Sequence, residues 1–96
     1  MLVRIMTTWD RGDIEPDGDG FVHLSHADQV AGTVARHHPG ARSLVFLLLD
    51  AGALPAGALR VEASTDHGAY PHLYATLPAA AVVRVVHWRA GEPIIL

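Results

Sequence analysis

The spacing of apolar positions changes several times along this chain, and each change marks an element. Val3 to Thr7 reads as a first strand. From Trp9 to Asp19 the pattern dissolves into an acidic, glycine-rich stretch that closes on the turn signal Asp17-Gly18-Asp19-Gly20. Phe21 to Leu24 is then a short apolar strand running straight into a helix. Ser25 is placed to cap that helix, and Asp28 follows three residues later in capping-box spacing. Ala27, Val30, Ala31, Val34 and Ala35 recur at helical intervals until Pro39-Gly40 ends them.

Ser43 to Leu49 is an unbroken apolar run, the mark of a strand covered on both faces. Asp50 to Ala58, with Pro55 and two glycines, reads as a turn or a single helical turn. Leu59 to Ala63 alternates, with Leu59, Val61 and Ala63 on one face and Arg60 and Glu62 on the other. A loop over Ser64 to Ala69 leads into a strand from Tyr70 to Tyr74, and a β-branched strand runs from Val82 to Trp88. The apolar tail Pro93 to Leu96 is expected to form an edge strand or to pack on the core. The order β, β, α, β, β, β, β lacks the alternation of a doubly wound fold and predicts an α+β domain with one main helix.

Ninety-six residues provide one core and therefore one domain, residues 1–96. The chain has no cysteine, which excludes thiol catalysis and Cys-based zinc sites and fits a reducing compartment. A net charge of -3, with seven scattered arginines and no lysine, argues against nucleic acid as a partner. No targeting signal is visible at the N-terminus, and Leu44 to Leu49 is too short to span a bilayer. The expectation is a soluble cytoplasmic protein that does not engage membranes.

Seven histidines against two phenylalanines is the unusual ratio, and two of the histidines interrupt apolar strands. His23 and Ser25 stand two apart, so an extended backbone aims both at one space. The plainer reading, the one an isolated His-x-Ser favours, is that Ser25 only caps the helix while His23 packs with a satisfied hydrogen bond. His72, between Tyr70 and Tyr74, is either walled by two aromatic rings fit for a flat heterocycle or part of a tyrosine-rich edge strand marked by Pro71. Glu62 could stabilise a developing oxocarbenium ion, or pair with Arg60 at the surface. His37-His38, in the last helical turn, reads as structural, where imidazolium suits the helix dipole. His26 and His87 have no evident partners. No His-Glu-x-x-His pattern, Gly-x-Ser-x-Gly elbow or EF-hand spacing occurs, so no metal is expected, although His23, His67 and His72 could converge in space.

Asp19-Gly20-Phe21-Val22-His23-Leu24-Ser25, the helix Ala27–His37, Arg60-Val61-Glu62, Tyr70-Pro71-His72-Leu73-Tyr74 and Leu77-Pro78 together resemble, in that order, the bacterial family catalogued as domain of unknown function 952. The resemblance runs from about Asp19 to Arg84. That family is similar in fold to the ADP-ribosyltransferase superfamily, a compact split β-sheet structure whose cleft binds NAD. The likeness implies that His23 bonds a ribose hydroxyl of NAD, the Leu24 backbone holds the nicotinamide amide, Ser25 braces the site, and Tyr70 or Tyr74 stacks on the nicotinamide. Glu62 or His72 would then be the third, catalytic element. It also implies a helix after the first strand, for which Trp9 to Gly20 is too short and glycine-rich. The functional expectation is an NAD-dependent transferase or glycohydrolase, with a non-catalytic module for a nucleotide or similar small ligand, or a structural domain with packed histidines, as alternatives.

Overall fold

The computed structural model describes residues 1–64 and 68–96, Ser64 by its backbone alone. Seven strands and one α-helix follow one another as β1 (Leu2–Met6), β2 (Val22–His23), β3 (Ser25–His26), α1 (Val30–His37), β4 (Ser43–Leu49), β5 (Leu59–Ser64), β6 (Gly68–Leu73) and β7 (Val82–Arg89). They form two antiparallel sheets, one in the order β3-β1-β4-β7 and the other β2-β6-β5. The α+β arrangement with one main helix expected from the pattern is therefore present, as is the split sheet that the resemblance implied, and no helix lies between β1 and β2. Among the described residues no helix is long and apolar enough to cross a membrane.

β4 explains the architecture. Its register places it between β1 and β7, and its alternate side chains feed two separate cores. Val45, Leu47 and Leu49 join Leu2, Val22, Leu24, Leu73 and Leu77 in the cluster between the two sheets. Leu44, Phe46 and Leu48 join Val3 with Val30 and Val34 of α1 on the opposite face. A strand that must bury both faces cannot alternate with polar residues, which is why Leu44 to Leu49 reads as one apolar run.

Phe21 to Ser25 differs from expectation in an instructive way. It is two strands rather than one: Val22 and His23 pair with Leu73 and His72, whereas Ser25 and His26 pair with Val3 and Leu2. Leu24 is the pivot between the sheets. Ser25 therefore belongs to a strand and does not cap the helix. The reciprocal capping bond is made one residue later, where the His26 amide donates to Gln29 Oε1 at 2.9 Å. A 3₁₀ turn, Ala27–Gln29, precedes α1, and the helix ends before Gly40, whose φ of +80° L side chains rarely adopt.

Four further expectations are changed or narrowed. Val61 is 58 % exposed, because β5 is the outer strand of the small sheet and reaches past the core. Pro71 marks no edge: β6 is the central strand, and the proline contributes its carbonyl, which accepts from the Leu24 amide at 3.1 Å. The tail forms no strand; Ile94 and Leu96 pack on the helix-side core. The expected loop from Ser64 to Ala69 shortens, since Ser64 pairs with Gly68, and its remainder, including His67, lies outside the described residues.

Candidate functional site

A cleft of about 640 Å³ opens where the chain passes from one sheet to the other. β3 covers the edge of β1 only at Leu2 and Val3, so from Arg4 onward that edge has no strand beside it. β2 has meanwhile crossed to β6, and the space between is walled by both sheets and the end of α1. β1 lends Arg4 and Ile5, the crossing segment lends Phe21 and His23 to Ser25, β6 lends Tyr70 and His72, and α1 with its C-terminus lends Thr33 and Arg36 to His38.

His72 is the best-positioned of these side chains. The β5–β6 register sets Arg60 opposite His72 and Glu62 opposite Tyr70, making Glu62 the diagonal neighbour of His72 on one face. His72 Nδ1 lies 2.8 Å from Glu62 Oε1, and the Tyr74 hydroxyl donates to the same oxygen at 2.5 Å. These bonds, Tyr74's first, hold the Glu62 carboxyl below its ordinary range, and the same bond pushes the Tyr74 phenol up. A carboxylate only accepts, so the shared proton sits on His72 Nδ1 and the ring's second nitrogen, Nε2, is left as its basic atom. One face of the imidazole is stacked on Phe21 with ring centroids 3.9 Å apart. A histidine so oriented by a carboxylate can take a proton from a bound hydroxyl.

The Glu62 pKa carries a testable sign. A carboxyl held below its unfolded value contributes stability in full above that value, and the contribution is lost as pH falls through the lowered folded one. Tyr74→Phe removes the largest cause. In that variant the Glu62 carboxyl resonance should titrate at higher pH by NMR and the acid limb of the stability profile should flatten. A Glu62 titration unmoved by Tyr74→Phe refutes the bond.

His23 is more open than its apolar setting suggests, with 47 % of its side chain exposed. The Asp17-Gly18-Asp19-Gly20 turn folds back on it, so that Nδ1 lies 2.8 Å from Asp17 and Nε2 3.3 Å from Asp19. The Asp17 carboxyl is held below its usual range first by the Asp19 amide, which donates to it at 2.8 Å, and further by His23. The ligand-type atoms of Asp17, Asp19 and His23 lie within 4.8 Å of one another. This is not the trio the sequence offered: His72 is engaged by Glu62, and His67 lies outside the described residues. The His23 and His72 rings meet edge to face at 5.7 Å, so both histidine motifs open onto one cleft.

The remaining expected residues divide. Leu24 and Ser25 line the cleft; Ser25, 3 % exposed, braces α1 through its hydroxyl, 3.3 Å from that of Thr33. Because Pro71 has no N–H to return, the ladder leaves the Leu24 carbonyl without a donor from β6. Tyr70 lines the cleft, but Arg36 engages both its hydroxyl and its ring. Tyr74 lies outside, behind Glu62, with Arg60 over its ring at 5.0 Å. The expected pair of tyrosine walls around His72 is thus replaced by Phe21. Glu62 makes no ion pair with Arg60 among the described residues; it turns to His72 and Tyr74 instead.

Sequence reasoning missed the basic wall. Arg4 shares the inner face of β1 with Leu2 and Met6, and its Nη1 donates to the His23 carbonyl at 3.0 Å. Thr33, Arg36 and His37 stand at i, i+3 and i+4, one stripe of α1, a spacing legible in the sequence. His37 and His38 are not merely dipole partners: both face the cleft, and burial, with His37 and Arg4 adding, pushes the His38 imidazole down.

Comparison with known proteins adds a family but no activity. No curated protein matches the chain. The crystal structure of protein CC0527 from Caulobacter crescentus is 32 % identical, over 90 % of this chain and 83 % of that one, with a TM-score of 0.78. The solution NMR structure of CC0527 from the same organism is also 32 % identical, over 88 % and 81 %, with a TM-score of 0.72. Residues 7–85 match the family described as protein of unknown function, DUF952. In sequence over most of its length, the chain belongs to the DUF952 family.

Proposed function

We propose that the cleft binds NAD or a related nucleotide and transfers or hydrolyses its ADP-ribose, in the manner of the ADP-ribosyltransferase-like fold that the histidine motifs resemble. The observation that carries this reading is the Glu62–His72 pair, a carboxylate-oriented imidazole set beside a second histidine in a cleft of ligand size. In this reading His23 bonds a ribose hydroxyl, the free carbonyl of Leu24 accepts from the nicotinamide amide, and Ser25 keeps the crossing segment fixed to α1. Phe21 or Tyr70 flanks the base. The N-glycosidic bond breaks, nicotinamide leaves with the bonding pair, and an acceptor oxygen bonds to the ribose carbon. The acceptor's proton passes to His72 Nε2, and Glu62 balances the imidazolium that forms.

One observation favours a second reading, a non-catalytic nucleotide-binding module. Glu62 is turned onto His72 and Tyr74, and no carboxylate is among the residues that line the cleft. Calorimetric titration with NAD and ADP-ribose, followed by nicotinamide release from labelled NAD, separates the two. Heat with release supports the enzyme, heat without release the binding module, and no heat from either ligand refutes both.

A further inference from the structure

We infer that Arg4 and Arg36 form a phosphate subsite at the α1 side of the cleft, so that its ligand is a phosphorylated nucleotide rather than a nucleoside. This rests on the nucleotide reading above but on different residues. Both guanidinium groups line the cleft, one from β1 and one from α1, brought together across 32 positions of sequence. Each is held at one end: Arg4 Nη1 by the His23 carbonyl, Arg36 Nη2 by the Tyr70 hydroxyl. In each the Nε is shut off from water and has no hydrogen-bond partner among the described residues. Neither makes an ion pair with a carboxylate among the described residues.

A guanidinium in a protein stays charged, and one that is half-buried, with its Nε unpartnered and no carboxylate paired to it, is an unfavourable arrangement. Here there are two on one wall. Burial of Arg4 works against its charge, with Asp17 only partly offsetting it. An anion entering the cleft supplies the counter-charge both groups lack, meeting the Nη donors that their bonds to His23 and Tyr70 leave over. The chain spends two of its seven arginines here while its net charge is negative, so the positive character is local to this wall. His23 and His72 line the same cleft as this wall, so phosphates and ribose of one nucleotide would share it.

The test compares ligands that differ only in phosphate. Pyrophosphate alone should raise the melting temperature of the wild-type protein and give heat by calorimetry. Nicotinamide mononucleotide should bind more tightly than nicotinamide riboside by about 10- to 100-fold, the range of charge-assisted hydrogen bonds. Arg4→Gln and Arg36→Gln should erase that preference, costing the mononucleotide far more affinity than the riboside. Should a glutamine variant not fold, Arg4→Lys or Arg36→Lys keeps the charge and removes the fork, and should weaken pyrophosphate binding. The inference is overturned if pyrophosphate gives the wild-type protein neither shift nor heat, or if NAD binds undiminished to the folded variants; the NAD reading then stands alone. Arginine-dependent pyrophosphate binding without any response to NAD has the opposite meaning: it upholds the subsite and removes the NAD reading.

Discussion

Replacing Phe46 with alanine should lower the free energy of unfolding by about 3–5 kcal/mol. The side chain is fully buried at the middle of β4, packed between Val3, Leu44 and Leu48 and the α1 residues Val30 and Val34. It also lies against the Trp88 ring, with centroids 6.0 Å apart. Alanine at this position removes the largest fully buried side chain from a core that one eight-residue helix covers. Collapse of the helix onto the void would pull on its Ser25–Thr33 contact with β3, so a cavity term is added to the transfer term. A domain of this size has about 5–15 kcal/mol in total, so the loss is a large share of its stability. Urea unfolding should show a large fall in midpoint with little change in slope. Val61→Ala, at a position 58 % exposed, serves as the control and should stay within about 0.5 kcal/mol. A loss below about 1 kcal/mol for Phe46→Ala would show that the helix-side core is not the support described here.

The same strand shows what is legible in a sequence and what is not. That β4 is covered on both faces follows from its composition, because a polar residue in it would be buried without a partner. Each histidine motif is legible by residue type alone, and the two rings meet at 5.7 Å. The break at Leu24 was not legible. Period-two alternation says which face a side chain takes, but not which strand each half of a segment will choose. Since that break opens the cleft, the basic wall was hidden with it: Arg4 and Arg36 looked scattered because their meeting depends on the gap beside β1. The cap shifted for a related reason. Ser25 was consumed by pairing with Val3, which left the capping bond to His26 and Gln29. The exposure of Val61 likewise depends on where a small sheet stops, which no local pattern encodes.

The rate of nicotinamide release is where the Glu62–His72 pair has its largest expected effect. If the cleft is catalytic, His72→Ala should lower that rate by about 10²- to 10⁴-fold, the range supplied by a positioned acid–base group. Glu62→Gln should be the more informative change. It keeps the size of the side chain and an acceptor for Nδ1–H, yet removes the charge that stabilises the imidazolium formed when His72 takes a proton. The loss should therefore fall on kcat, with KM for NAD little altered, and the pH–rate profile should change shape. A purely structural role for Glu62 would instead lower the melting temperature and leave the profile of the surviving enzyme unchanged. Tyr74→Phe, which leaves the His72–Glu62 bond in place, should cost the least of the three. Its hydroxyl shares the same oxygen but stands outside the cleft, so it sets the carboxylate rather than meeting the ligand. The order His72→Ala, Glu62→Gln, Tyr74→Phe thus follows distance from the reacting atoms. Equal losses in all three, tracking stability, would mean that the pair holds the small sheet together and does no chemistry.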